Sequence, residues 1–281
     1  MKKILAMVLA GMMVMSLTAC GSGSSTTTTT AAETTAAETT AAETTAEETT
    51  AAETTAAVAE TEPTEEGVMT YEEYMAAELD TEVTVITFVQ THTSWWQGKV
   101  TIYGQSPAGA IFIYDMDCSE EDAAKLVPGT RIKVTGYKSE WSGEVEITDA
   151  TFEIEEGSWI AEAEDVTSLL GTEELSAHMN QFVAFKGLTV EPYTDKDGNE
   201  VAFVYKWDGS GSEGDDVYFN VADENGEVYQ FLVRSYITPQ DTDVYKMAQT
   251  LEIGDELDME GFLYWYEGPN PHITSITKVG E

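Results

Sequence analysis

Residues 127–147 read VPGTRIKVTGYKSEWSGEVEI, and residues 252–273 read EIGDELDMEGFLYWYEGPNPHI. The two stretches share a pattern. Gly129 aligns with Gly254, Ile132 and Val134 with Leu257 and Met259, and Gly136-Tyr137 with Gly261-Phe262. Further on, Trp141 aligns with Tyr266 and Gly143 with Gly268; after one extra residue in the second copy, Ile147 aligns with Ile273. Such self-similarity predicts one structural unit used twice. In each copy a turn leads into apolar residues at alternating positions, which places them on one face of a strand. A glycine follows where a strand can bulge or bend sharply. A short polar loop ending in glycine then starts a second alternating strand. The unit is a hairpin able to close a small, strongly bent barrel.

Each copy closes a longer pattern. In the first half, Thr70-Tyr71-Glu72-Glu73 has capping-box spacing and opens a short helix to about Leu79. Strands are predicted over 82–91, 99–103 and 110–114, then a helix capped at Ser119 and reaching about Leu126, then the hairpin. Residues 157–180 form a connector with two helical pieces, the second from Glu173 to Met179. The second half has strands at 182–190, 201–207, 217–221 and 228–233, a turn at Asp195–Asn199, a strong turn at Asn225-Gly226, a helix within 239–251, and the second hairpin.

The G-x-x-I-x-V-x-G-Y segment Gly129–Tyr137, placed before a last hairpin and after a helix that follows three strands, resembles strands four and five of bacterial OB-fold domains. The resemblance covers residues 80–156 well and 180–280 less well, because the second half carries inserted loops. It implies a mainly β chain with two tandem OB-like five-stranded barrels and short helices, over 67–156 and 181–281.

The N-terminus is of another kind. Lys2 and Lys3 precede an apolar run from Ile4 to Leu17, too short to span a bilayer as a helix of about 20 residues. Leu17-Thr18-Ala19-Cys20 resembles the lipobox of bacterial lipoproteins. That resemblance implies cleavage before Cys20, lipid on its sulfur, and a chain held to the outer face of a bacterial membrane. Residues 21–66 hold AAETT-type pentads with no large apolar residue to bury and read as a disordered tether. As a coil it would span about 40 Å. Cys118 is the only other cysteine, so with Cys20 lipidated no internal disulfide is available. Cys118 itself reads as a small buried side chain.

Of the 52 acids, ten lie in 21–66; of the 13 bases, two lie at 2–3; residues 67–281 therefore hold 42 acids and 11 bases. Such a surface repels phosphate chains and argues against nucleic acid, although Lys99, Lys125, Arg131, Lys133 and Lys138 form one local basic cluster in sequence.

We find no enzyme signature. His92, His178 and His272 are far apart, no cysteine pair exists, and there is no P-loop or G-x-S-x-G elbow. No cofactor is implied. Asp195-x-Asp197-Gly198-Asn199-Glu200 looks like the start of a calcium loop, but position six is Glu200 where that loop needs glycine. Asp208 and Asp215-Asp216 could gather around a cation, yet acidic turns in water explain all of these.

Aromatic residues are the better lead. Trp95, Trp96 and Trp141 fall in predicted loops of the first unit, and Trp207, Tyr264, Trp265 and Tyr266 at strand ends of the second. OB-folds hold bases or sugars on one sheet face, often by stacking on rings. Taken singly, each of these rings would more often belong to a core or its edge; Trp95 and Trp96 are adjacent, so at most one of them can face inward. We therefore expect Trp95, Trp96, Trp141, Trp207, Tyr264 and Tyr266 to bind a ligand without catalysis. The expected partners are the membrane, through Cys20, and an extracellular glycan, peptide or envelope protein. Nucleic-acid binding and a structural role in an envelope assembly are the alternatives.

Overall fold

The computed structural model describes residues 65–280. The expected export segment, Cys20 and the expected tether as far as residue 64 lie outside the described residues.

Five strands of the first half close a barrel: β1 (Glu82–His92), β2 (Lys99–Ser106), β3 (Gly109–Asp117), β4 (Thr130–Trp141) and β5 (Glu144–Ser158), in the order β1-β2-β3-β5-β4. Neighbours are antiparallel except β3 and β5, which run parallel with Phe112 opposite Glu146 and Ile113 opposite Ile147. The second half repeats this arrangement with additions. After β6 (Glu164–Asp165) come β7 (Phe182–Glu191), β8 (Tyr193–Thr194), β9 (Glu200–Val201), β10 (Phe203–Tyr205), β11 (Val217–Ala222), β12 (Val228–Val233), β13 (Glu256–Phe262) and β14 (His272–Lys278). Here β7-β11-β12-β14-β13 is the equivalent order, closed by β13 on β7, and β12 and β14 are the parallel pair, with Leu232 opposite His272. The fold is mainly β, with two OB-fold-like barrels. The strand predicted over 201–207 is divided: β9 pairs with β8 across the Asp195–Asn199 turn, while β10 pairs with β11.

The repeated hairpins are strands four and five of each barrel, and their shared residues have shared causes. Ile132, Val134, Leu257 and Met259 are all buried. Each such side chain contributes about 1.5–3 kcal/mol by leaving water. At Gly136 and at Gly261 the ladder to the fifth strand shifts register. A Cβ on Gly136 would sit 2.6 Å from the Ile147 side chain, and one on Gly261 would strike the backbone at His272–Ile273. The repeated Gly and Ile are thus one close contact, made twice. Opposite these glycines on the first strands stand Val83 and Val183, both fully buried.

Helices are short. The helix α1 (Tyr71–Ala76) has both bonds of the predicted capping box, from Glu73 N–H to Thr70 Oγ1 and from Thr70 N–H to Glu73 Oε2. α2 (Glu120–Ala123) and α3 (Asp243–Ala248) are capped by Ser119 and Thr242 and lie between strands three and four of their barrels. α1 and α2 stop before the predicted ends, while α3 lies within the predicted 239–251; after α1 the chain turns extended at Ala77. The connector's helical pieces are 3₁₀ turns at Thr167–Leu169 and Glu173–His178.

Each barrel has its own core, and a third cluster joins them. Tyr103 and Phe112 from the outer face of the first barrel pack on Phe262 from the second, with Phe182, Ile237 and Tyr264 around them.

Candidate functional site: an aromatic cleft between the barrels

Alternation along β2 and β3 sends Ile102, Ile111 and Ile113 into the barrel and Thr101, Tyr103, Phe112 and Tyr114 outward. The second barrel covers the inner half of this outward face. The outer half remains open and forms one wall of a cleft of about 600 Å³, within the range of small-ligand sites. Above it the loop between β1 and β2 is held at three points. Thr93 N–H donates to Thr101 O (2.9 Å), Trp96 and Lys99 exchange backbone bonds (3.0 Å each), and Ser94 N–H donates to Tyr236 O of the second barrel (2.9 Å). This loop carries Trp96 to the cleft rim, 71% exposed. A register shift in β2/β3 beside Asp115 places that residue at φ 46°, and Asp115 also lines the cleft.

The second barrel supplies the facing wall from Arg234 and Tyr236 after β12, Tyr264 after β13, and His272 on β14. Tyr264 stacks on the His272 ring (4.5 Å between centroids, 18° between planes) and tilts against Phe112. Tyr103 Oη and His272 Nδ1 are 2.6 Å apart. The Arg234 guanidinium donates to Asp216 Oδ2 (2.9 Å) and lies over the Tyr236 ring, 5.4 Å from its centre. Ser235 donates twice to the other oxygen of Asp216, through N–H and Oγ. A charged pair this well bonded is fixed in place.

Two carboxyls lie behind the cleft on the outer face of β5. Glu144 is fully buried; it accepts from Trp265 N–H (2.9 Å) and from Asn180 Nδ2. Burial pushes it up to about 8, against the pull of those two donors, and the nearby Glu146 adds to the rise. Burial and the charge of Asp115 push Glu146 up to about 7. Tyr264 is pushed up to about 12 by burial and by these two carboxyls. Burial, with Arg234 nearby, holds His272 well below the usual histidine range, so its ring is neutral at pH 7.

Of the residues expected from sequence, Trp96 and Tyr264 line the cleft. Trp95 belongs to the same loop and is 38% exposed, its indole N–H donating to Cys118 O (2.8 Å). Cys118 is buried, and its thiol points to Ser119 O. Trp141 and Tyr266 are exposed at the tips of the two repeated hairpins, which touch: Glu267 N–H donates to Ser142 O, and the Trp265 indole covers Gly143. Trp207 is exposed on the loop after β10, where its carbonyl accepts from the Tyr193 hydroxyl. None of these last three lines the cleft. Sequence reasoning missed Tyr114, Asp115, Arg234, Tyr236 and His272. Alternation along the third strand pointed to Tyr114. Arg234 and Tyr236 carry no local signal, because only the docking of the barrels brings them to the site.

The basic cluster does not form a patch. Lys99 pairs with Asp117, Lys125 with Glu121 and Asp122, Arg131 with Glu65 and Glu155, and Lys133 with Glu65. Lys138 is buried and donates to Met75 O and Ala77 O. The acidic turns close on themselves. Asp195 accepts from the backbone of Asp197 and Asn199, and Asp208 from Ser210. Asp215 accepts from Ser212 N–H, while Asp216 faces Arg234. Among the described residues no group of three or more His, Cys, Asp or Glu is placed to hold a metal ion. Nor, among them, is any helix long and apolar enough to cross a membrane.

No family model matches the chain, and no curated protein matches it. Several solved structures are similar to it. A murine DNA-binding protein bound to double-stranded DNA is 12% identical, over 70% of this chain and 97% of that one, with a TM-score of 0.34. A replication protein A heterotrimer bound to single-stranded DNA is 10% identical, over 70% and 48%, with a TM-score of 0.28. The single-stranded DNA-binding protein of Thermus aquaticus, as a deletion mutant, is 14% identical, over 71% and 94%, with a TM-score of 0.23.

Proposed function

We propose that this chain is a non-enzymatic binding protein, exported and tethered by lipid at Cys20, that captures an extracellular ligand in the cleft between its barrels. The observation that carries the reading is the cleft itself. Trp96, Tyr114 and Tyr236 all expose their rings to one cavity whose floor is fixed by the Arg234–Asp216 pair and by His272. Exposed rings held by hydrogen-bonded backbone suit recognition of a ring-bearing or apolar ligand. The alternative of nucleic-acid binding calls for a basic groove tracking the phosphates. The clustered bases Lys99, Lys125, Arg131 and Lys133 are paired with acids and Lys138 is buried, and the guanidinium in the cleft already serves Asp216.

The test is a thermal-shift screen of the full mature chain against glycans, peptides, oligonucleotides and calcium. A ligand of the native state raises the melting temperature by mass action. The expected hit loses its shift in Trp96→Ala and in Tyr236→Ala, while both variants melt like the parent without ligand. A hit that both variants bind with parental affinity would move the site elsewhere.

A further inference from the structure

We infer that the cleft takes an uncharged glycan, its sugar rings lying on Trp96, Tyr114 and Tyr236 and one of its hydroxyls bonding to His272 Nε2. This rests on the reading of the cleft as the binding site.

Three observations carry the ligand class. The first is an unmet polar atom. His272 is 3% exposed and lines the cleft, and its Nε2 has no hydrogen-bond partner among the described residues. The ring's other nitrogen is engaged by the Tyr103 hydroxyl, and its face by Tyr264. The ring is thus held from two sides, and the remaining nitrogen is unpaired but shielded from solvent, so a ligand hydroxyl reaches it by parting the side chains around it. A buried polar atom left unpaired costs about 1–3 kcal/mol, and a ligand group that pairs with it recovers part of that. When the phenol donates to Nδ1, Nε2 carries the ring proton, and a sugar hydroxyl or ring oxygen is its natural acceptor.

The second is the balance of charge in the wall. The charged side chains lining the cleft are Arg234 and Asp115. Arg234 is matched by Asp216 at 2.9 Å. Lys99, paired with Asp117, also donates to the backbone carbonyl of Asp115. No unmatched cation remains to hold a phosphate, a sulfate or a uronic acid, and 42 acids over residues 67–281 repel polyanions at longer range. The Asp115 carboxylate has no ion-pair partner among the described residues and leaves the wall slightly negative, which further disfavours anions; a cationic group drawn to it still finds the Tyr236 ring covered by the Arg234 guanidinium.

The third is the form of the lining. Open rings stand around a rim of small hydroxyl side chains, Thr93, Ser94 and Thr101. Hydroxyls both donate and accept, so they suit a ligand that is itself covered in hydroxyls. Thr93 Oγ1 already accepts from Thr101 N–H and Thr101 Oγ1 is bonded to Asp115, which leaves the exposed Ser94 hydroxyl and the Thr93 O–H for a ligand's hydroxyls; an apolar peptide side chain would not use them.

The experiment is calorimetric titration of the full mature chain with four probes: neutral oligosaccharides of glucose, mannose, galactose, xylose and N-acetylglucosamine; an oligogalacturonate; an oligothymidylate; and an oligolysine. At least one neutral oligosaccharide should bind with an affinity that hardly changes between low and physiological salt. Trp96→Ala should weaken it about tenfold or more, as expected of an aromatic anchor. His272→Phe, which keeps a ring against Tyr264 and removes Nε2, should weaken it about fivefold, the loss of one hydrogen bond. If His272→Phe proves misfolded by its melting curve, Trp96→Ala on its exposed rim decides. Binding of only a charged probe, lost in Trp96→Ala, would overturn the uncharged ligand class and leave the cleft as the site. Neutral-glycan binding unaffected by Trp96→Ala, or no binding by any probe at millimolar concentration, would overturn the site together with the ligand.

Discussion

Glu144→Gln should change how stability depends on pH. Glu144 is fully buried where the hairpin tips of the two barrels meet, and its carboxyl sits at about 8 against an ordinary 4.5. The folded state thus holds this proton more tightly than the unfolded chain does. Its stabilising contribution is complete below about pH 4.5 and is lost as pH rises through 8. At about 1.4 kcal/mol per pH unit, the interval from 4.5 to about 8 sets a ceiling near 5 kcal/mol. The value of about 8 already includes the pull of the donors Trp265 N–H and Asn180 Nδ2; because the unfolded carboxyl is mostly ionised by pH 5 and the folded one only half ionised at pH 8, about 2–4 kcal/mol is expected between those two pH values. Glu146 titrates in an overlapping window up to about 7, and the two carboxyls share their protons as a coupled pair. Glutamine keeps an oxygen for Trp265 N–H and carries no titratable proton. The assay is urea unfolding followed by tryptophan fluorescence at pH 5 and pH 8, for the parent and Glu144→Gln. The two proteins should be of similar stability at pH 5, and the variant more stable at pH 8. Parallel pH profiles would refute the claim that Glu144 is buried as a neutral acid.

Other expectations are simpler. Gly136→Ala would force a methyl group to 2.6 Å from Ile147 and 2.7 Å from Thr148 O, costing about 2–4 kcal/mol in urea unfolding. Gly226→Ala, at φ 81° with open space around it, should cost only about 1 kcal/mol in the same assay. Tyr103→Phe removes the bond to His272 Nδ1 and should lower stability by about 1–2 kcal/mol, read from the denaturation midpoint. Cys20→Ser should release the chain from the membrane fraction into the medium on cell fractionation; a variant that still sediments with membranes would defeat the lipid-anchor proposal.

The fold was legible because it rests on local rules repeated. Alternation at Ile132, Val134, Leu257 and Met259, glycines at Gly136 and Gly261, and the caps at Thr70 and Ser119 each constrain the chain within a few residues. What sequence misjudged was also local. The strand predicted over 201–207 divides because Glu200–Val201 folds back on β8 while Phe203–Tyr205 joins β11. The site was only half legible. Trp96 and Tyr264 could be picked out as aromatics outside an alternating core, but so could Trp141, Trp207 and Tyr266, which lie elsewhere. What separates the two groups is the packing of Tyr103 and Phe112 on Phe262, contacts between residues more than a hundred positions apart. No periodicity carries that information.

The repeat also explains why this cleft forms where it does. Equivalent residues of the two hairpins point the same way from their barrels but meet different surroundings. Tyr137 is exposed, whereas its counterpart Phe262 lacks the hydroxyl and is buried against Tyr103. Glu146, opposite Phe112, and His272, opposite Leu232, stand just before the matching isoleucines, and both end up buried near the junction. The first barrel therefore meets the second with strands two, three and five, while the second answers with strands four and five and with Phe182 at the start of its first strand. That offset leaves the outer end of β2 and β3, with Thr101 and Tyr114, uncovered by the partner barrel, and the segment Arg234–Tyr236 faces it across the gap. Were the two barrels related by a symmetric contact, strands two and three of each would have been covered or exposed alike. The asymmetry makes the cleft a property of the pair, so substitutions at Phe262 should weaken ligand binding even though Phe262 itself does not line the cavity. Phe262→Ala measured beside Tyr137→Ala tests this directly: equal loss of affinity in both, or in neither, would argue that the cleft does not depend on the junction.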